Sequence, residues 1–260
     1  MTSLVAIKCL DGVVIGADSA VTFGAAGGNI GTIEHHTSKK LKIVGSSIII
    51  AGAGELGLMQ RFVAAVEKAE KAGKFAQIDD AITFGKTLSS IGLRDFNETH
   101  LEKFNFTALV AFAAGGEANL CELDGLTGFQ PEIKELVDLW HVSTGAGQSI
   151  TDPFLALLRE AFWSEAAPTL QGGIFTALWA LTHVCKLNTG GIGFPINLAV
   201  LERPRLGRQP AARILPAQEL AEHGNVVEAA MRHLGEFKNI LMGRSGAEAV
   251  PTAIGSAASS

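Results

Sequence analysis

Several short segments of the chain are apolar at nearly every position, and this pattern limits the possible folds most. The clearest are SIIIAGAG (47–54), TALVAF (107–112) and NLAVL (197–201). A strand with one wet face alternates apolar and polar residues, whereas a strand covered on both faces is apolar throughout. We therefore predict an α+β fold with four αββα layers, in which two antiparallel sheets pack together and helices cover them.

The order of the predicted elements agrees with this arrangement. Asp11-Gly12 between two apolar runs predicts a β-hairpin at the start. The predicted strands are 3–9, 13–19, 39–44, 48–54, 107–114, 118–123 and 196–202, and the predicted helices are about 56–74, 78–103, 149–164, 168–187 and 226–242. We expect an exposed glycine-rich loop at 23–36, one domain over 2–242, and a small polar tail without stable structure at 243–260.

Composition narrows the classes of function. The chain has 260 residues and a net charge of −5 at pH 7, so we expect neither nucleic acid nor an anionic membrane as a partner. No apolar run reaches the roughly 18 residues of a membrane span, and the N-terminus lacks the basic start of a secretory signal. Cys9, Cys121 and Cys185 lie in apolar segments and are odd in number, which favours reduced thiols. We predict a cytoplasmic protein.

Thr2, directly after Met1, is a candidate nucleophile. A threonine hydroxyl needs a base beside it, and a first-position threonine can use its own α-amine, whose unperturbed pKa is about 7.7–8.0. Methionine is normally removed when the next side chain is small, so a free Thr2 needs no propeptide. Because Met-Thr is a common start, Thr2 alone does not predict an enzyme.

Further motifs, in the expected order, resemble the family of proteasome β-type subunits. They are Asp11-Gly12, Asp18 followed by Val21-Thr22, Lys39-Lys40, Ala51-Gly52, Ser143–Gly147 and Asn188–Gly191. The resemblance covers about residues 2–202 and is greatest to the HslV-type peptidase and, above all, the betaproteobacterial proteasome homologue. It implies an N-terminal-nucleophile hydrolase fold and a threonine endopeptidase that cleaves polypeptides inside two stacked rings, without a cofactor or metal. An ATP-dependent unfoldase is a further partner to test.

The same resemblance implies roles for individual residues. The expected catalytic group is Thr2 as nucleophile and base, Asp18 and Lys40 as its charged partners, the N–H of Gly52 as oxyanion donor, and Thr189 as a hydroxyl partner. The expected substrate-binding group is Val21, Thr22, Ser38, Ile50 and Gly54. The backbone of Thr22 would pair with an extended peptide, and the other four would line the pocket beside the scissile bond.

Three departures from the family pattern bear on activity. Ala146 replaces a serine that many relatives place near the nucleophile's amine, and Lys186 replaces an aspartate. These two put the rate in doubt more than the reaction type. The third is a longer connection between Asp18 and Lys40, the glycine-rich 24–36 stretch, which we expect to shape substrate access. A metal site at His35-His36 is an alternative there, but adjacent histidines with no third ligand at suitable spacing favour a solvated loop.

Structural interpretations of the same residues remain open. Asp18 can cap a strand end, Lys39-Lys40 can form a charged strand edge, and Gly52 can ease sheet packing. At the level of function, one alternative is a catalytically silent ring subunit, which retention of Met1 would produce. Another is an N-terminal-nucleophile amidase acting on a small molecule.

Overall fold

The computed structural model describes residues 2–22, 33–35, 40–99, 104–137, 139–187, 191–204 and 210–243. The strands are β1 (Ser3–Cys9), β2 (Gly12–Ala17), β3 (Ala20–Thr22), β4 (Ile33–His35), β5 (Leu41–Val44), β6 (Ile48–Gly54), β7 (Phe106–Ala114), β8 (Glu117–Asp124), β9 (Pro131–Lys134), β10 (His141–Gly145), β11 (Asn197–Glu202) and β12 (Ala212–Ile214). The helices are α1 (Leu56–Lys71), α2 (Ala81–Asn97), α3 (Gln148–Phe162), α4 (Leu170–Leu187) and α5 (Ala217–Leu241).

Two five-stranded antiparallel sheets form the body of the molecule. The first has the order β10-β1-β2-β11-β12, and the second has the order β5-β6-β7-β8-β9. Strands β3 and β4 form a separate two-stranded pair. The first strand thus lies inside a sheet, paired with β2 on one side and with β10 on the other, so the start of β1 is held in the sandwich.

Three layers of buried side chains match the apolar pattern of the strands. Along β1, Val5 and Ile7 pack under α3 and α4, whereas Leu4 and Ala6 point into the layer between the two sheets. Residues of β6 and β7 on the far side pack against α1 and α2. Strands of both sheets are therefore covered on both faces, and the predicted αββα sandwich is confirmed.

Several boundaries differ from the sequence prediction. A short strand, β4, lies within the stretch predicted to be a loop, where it pairs with β3. Helix α2 begins at Ala81, not near 78, because the Asp80 side chain accepts a hydrogen bond from the Thr83 N–H at 2.7 Å and caps it. Helix α5 begins at Ala217, nine residues before the predicted start. The predicted tail from 244 onward lies outside the described residues.

In the ranges that the structure describes, every helix is too short or too polar to cross a membrane.

Candidate active site

The Asp18 carboxylate, just after β2, lies at the centre of the candidate site. It is fully buried and accepts four hydrogen bonds from described residues. Its Oδ1 accepts from the Ser3 N–H at 2.8 Å and from Lys40 Nζ at 2.7 Å. Its Oδ2 accepts from the N–H groups of Ala20 at 3.1 Å and Gly193 at 3.2 Å. Asp18 therefore joins the first strand, the turn after β2 and the segment before β11.

Lys40 and Asp18 form a buried ion pair. The side chain of Lys40 is 9% exposed and that of Asp18 is 0% exposed. Burial lowers the pKa of Lys40, and the charge and hydrogen bond of Asp18 oppose that lowering. Asp18 thus favours the charged ammonium in a place where burial alone would favour the neutral amine.

Thr2 lies beside this pair, because it directly precedes Ser3, whose N–H is bound to Asp18. Thr2 is half-buried. Its carbonyl oxygen lies close to Gly145, whose φ is +89°, and a Cβ on Gly145 would collide with that oxygen. A Cβ at Gly145 would also lie 3.5 Å from the Cβ of Ala53 in β6. Thr2, Asp18, Lys40 and the end of β6 therefore meet at one end of the sandwich. Since Ser3 pairs with Gly145, Ala146 follows on the side of Thr2.

The position of Gly52 supports a packing reason for the glycine. A Cβ on Gly52 would collide with Met59 Sδ of α1 and approach the Phe106 ring to 2.8 Å. The pairing of β6 with β5 ends at Ala51, opposite Leu41, so within the described residues no strand covers that edge of β6 at Gly52. Continuing the register places Lys40 opposite Gly52. Packing against Met59 and Phe106 explains why residue 52 is a glycine. The uncovered edge of β6 agrees with a role of the Gly52 N–H as a hydrogen-bond donor.

The predicted substrate-binding residues are only partly described. Val21 and Thr22 lie in β3, where they pair with Glu34 and Ile33 of β4. Among the described strands β3 pairs with β4 alone, so no described strand covers its second edge. Ile50 is fully buried in the core under α1 and α2, so it lines no open surface in the single chain.

Gly54 ends β6 at φ +106°, where a Cβ would collide with the carbonyl of Asn105. Ser38 and Thr189 lie outside the described residues, as does the side chain of His35.

Other residues of the site were not found from the sequence. Gly193 and Ser3 contact Asp18 through backbone N–H groups, which carry no signal in residue type. Cys185 lies near the ion pair, since Asp18 and Lys40 both act on its pKa. Burial raises the pKa of that thiol to about 12, so it stays protonated at neutral pH. Among the described residues, no group of three or more His, Cys, Asp or Glu side chains could hold a metal ion.

A four-layer αββα sandwich in which the first strand presents residue 2 at its open end is the architecture of the N-terminal-nucleophile hydrolases. Comparison with known proteins narrows this class. A profile of the proteasome subunit family matches residues 2–126. No curated protein matches the sequence significantly.

Two solved structures are similar over almost the whole chain. An Anbu (Gly-1) mutant from Hyphomicrobium sp. strain MC1 is 16% identical, with a TM-score of 0.66 over 96% of this chain and 100% of that chain. Anbu (ancestral beta-subunit) from Yersinia bercovieri is 13% identical, with a TM-score of 0.65 over 95% and 99%. At these identities the structures establish the fold, and the sequence match points to the family.

The sequence match supports a place in the proteasome subunit family, and the two structures agree with it in fold. The particular likeness to the betaproteobacterial homologue stays a prediction.

Proposed function

We propose that this chain is a threonine endopeptidase that acts as a subunit of a double-ring, self-compartmentalising complex in the cytoplasm. The observation that supports this most is the buried Lys40–Asp18 pair, whose carboxylate also binds the Ser3 N–H next to Thr2. Burial of a lysine ammonium costs free energy unless the charge is paired, so a purely structural role gives no reason to place one beside the first strand.

In the proposed reaction, the hydroxyl of Thr2 transfers its proton to the α-amine of the same residue and attacks the carbonyl carbon of the scissile peptide bond. The Lys40 ammonium favours the deprotonated hydroxyl and lowers the pKa of the amine, which suits that amine to act as a base near neutral pH. The backbone N–H of Gly52 donates to the oxyanion that develops.

The intermediate then collapses to an ester. The C–N bond breaks, and the α-ammonium returns its proton to the leaving amine. A water molecule, deprotonated by the same α-amine, attacks the ester carbonyl and releases the second product with Thr2 restored. No histidine is needed, because the nucleophile carries its own base.

Ala146 bears on the rate of this reaction. It follows the residue that pairs with Ser3, and it has no hydroxyl to orient the amine. Loss of one positioning hydrogen bond costs on the order of 1–2 kcal/mol, which slows an enzyme without abolishing its activity. Thr189 is proposed to supply the remaining hydroxyl, and Lys186 is proposed to be a helix-end charge, in agreement with its exposure at the end of α4.

The substrate is proposed to be an extended polypeptide. The open edge of β3 suits a strand-like peptide that pairs with the backbone of Thr22, and the end of β6 lies close to Thr2 through Gly145. Nucleic acid and membranes are not proposed as partners, whereas an unfoldase that delivers the polypeptide is.

The first experiment measures the intact mass of the purified chain and its reaction with a peptide epoxyketone, which needs a free amine and hydroxyl on one residue. We expect loss of Met1 and one adduct on the wild type, and no adduct on Thr2→Ala. Lys40→Met is the second variant, which should also lose Met1 but react with the epoxyketone far more slowly.

Retention of Met1, or a wild type that forms no more adduct than Thr2→Ala, would refute the peptidase and favour the silent ring subunit. That alternative draws support from Ala146. Cleavage of small amides with no cleavage of unfolded polypeptide would favour the amidase. Negative-stain electron microscopy tests the assembly, for which we expect a hollow double ring.

A further inference from the structure

A chain of hydrogen bonds continues from the back of Asp18 to Asn197, a residue with no role so far. The side-chain amide of Asn197 donates to Ser19 Oγ at 2.6 Å. The backbone N–H of Ser19 donates to the Gly193 carbonyl at 3.1 Å, and the Gly193 N–H donates to Asp18 Oδ2 at 3.2 Å. Ser19 and Asp18 are both fully buried, so water does not replace these contacts.

The two oxygens of Asp18 have separate partners, and this separation makes the chain of bonds relevant to the site. Oδ1 holds Lys40 and the Ser3 N–H beside Thr2, whereas Oδ2 holds the N–H groups of Ala20 and Gly193. Rotation of the carboxylate to keep one pair of contacts would break the other pair. The orientation of Oδ1 therefore depends on how firmly the partners of Oδ2 are held.

The partners of Oδ2 differ in how they are held. Ala20 is two residues from Asp18, so its contact belongs to the local turn. Gly193 lies in a segment without regular structure between α4 and β11, and it is far from Asp18 in sequence. Asn197, the first residue of β11, is opposite Ala17 of β2 and reaches the next turn at Ser19. Asn197 thus holds the hydroxyl of Ser19, whereas Gly193 holds the backbone N–H of Ser19.

We propose that Asn197 is a positioning residue for the reaction at Thr2, and that it acts through Ser19 and Gly193 to orient the Asp18 carboxylate toward Lys40. This inference rests on the proposed function. The side chain of Asn197 binds Ser19, so its proposed effect on Thr2 is indirect. Its effect is to keep Oδ1 of Asp18 aligned with the ammonium and with the N–H of Ser3.

The expected consequence is a change in rate and in pH dependence. In Asn197→Ala, kcat should fall about 10- to 100-fold, the scale of a small misplacement of catalytic groups, with KM changed less than threefold. Burial lowers the pKa of Lys40 and Asp18 opposes that lowering, so a looser Asp18 lets Lys40 lose its proton at lower pH. The alkaline limb of the kcat/KM profile should therefore move to lower pH.

The experiment compares wild type, Asn197→Ala, Ser19→Ala and the double variant, with a fluorogenic peptide over a range of pH. Both single variants should move the alkaline limb, and the double variant should resemble a single one, because both remove the same hydrogen bond. The control is Thr176→Val, which removes the partly buried hydrogen bond that Trp163 Nε1 donates to Thr176 in the helix layer. It should lower stability and leave the limb unchanged.

A second measurement separates failure of this inference from failure of the proposed function. Hydrogen exchange at the Ser3 amide, resolved by fragment mass spectrometry, should be faster in Asn197→Ala than in wild type, because that N–H is bound to Asp18 Oδ1. An active wild type whose alkaline limb is unchanged in Asn197→Ala would overturn the inference. A wild type without Thr2-dependent activity would refute the proposed function, and unchanged exchange at Ser3 would then refute the positioning of Asp18 as well.

Discussion

Asp18 is the residue whose surroundings tolerate least change, because its two oxygens accept from three backbone N–H groups and one ammonium. In Asp18→Asn, the amide group would point N–H donors at N–H donors, and Lys40 would lose its counter-charge. We expect the free energy of unfolding to fall by about 3–5 kcal/mol, as for removal of one partner of a buried ion pair. Urea denaturation measures this loss.

The control for that change is Asp79→Asn, on an exposed aspartate. Substitutions at such surface sites usually alter stability by less than about 0.5 kcal/mol. Equal stability of Asp18→Asn and wild type would contradict the geometry of the site.

His141 leads to a prediction about acid stability. Its Nδ1 is buried and has no hydrogen-bond partner among the described residues, and burial, followed by the charge of Arg159, lowers the pKa of the ring. Below pH of about 6.5 the unfolded chain takes up a proton at this residue, whereas the folded chain does not. The free energy of unfolding should therefore decrease as pH falls from about 6.5 toward the lowered pKa.

Denaturant titrations between pH 7.5 and about 5 test this slope. In His141→Gln the slope should be smaller than in wild type. The matched change His233→Gln, at an exposed histidine of α5, should leave the slope as it is. If both variants keep the slope of the wild type, His141 is not its source.

At the scale of elements, the contact between β6 and α1 depends on Gly52. In Gly52→Ala the new methyl meets Met59 and Phe106, and we expect a loss of about 1–3 kcal/mol in the free energy of unfolding, as for other overpacked sites. Adding Met59→Ala removes the clash with Met59 and leaves the clash with Phe106, so the double variant should recover only part of the activity lost through displacement of β6. The backbone N–H is present in all of these variants.

Gly57→Ala is the matched control in α1, since a Cβ there meets nothing within 4 Å. It should stabilise the helix by about 0.5–1 kcal/mol. A Gly52→Ala chain as stable as Gly57→Ala would show that the sheet and α1 are not packed as described.

For the whole molecule, the prediction concerns assembly. The second half of α5 exposes Leu234, Phe237 and Leu241 on the surface of the single chain. Exposed apolar surface of this kind is typical of contacts with other chains. If the folded chain assembles into rings, Tm should rise with protein concentration, because association stabilises only the folded state. Scanning calorimetry over a hundredfold range of concentration tests this, and a constant Tm would indicate a monomer.

The fold was largely predictable because the apolar pattern is a local property of the chain. Strands β1 and β6 have the predicted bounds, and the two-sided burial of the strands follows from their composition. Boundaries were missed where local signals misled. The helix predicted from about 226 begins at Ala217 and runs through Gly224, because Leu220 and Val227 pack against the core that includes α4.

The candidate site was predictable only in part. Residue types and their order pointed to Thr2, Asp18 and Lys40, and the pairing of Lys40 with Asp18 agrees with that prediction. The roles of these residues stay predictions until the enzyme is tested. The packing of Gly52 against α1 and the complete burial of Ile50 have no signal in a single sequence, because both depend on which helix covers the strand.

The αββα layers, most of the element order and the types of the charged groups thus follow from the amino-acid sequence, since hydrophobic periodicity and side-chain chemistry act over a few neighbouring residues. Which atoms meet is a property of the folded chain. The bond from Gly193 to Asp18 joins residues 175 positions apart, and the bond from Asn197 to Ser19 joins residues 178 apart. Such contacts depend on how two sheets and their connecting segments pack, and no local pattern specifies that geometry.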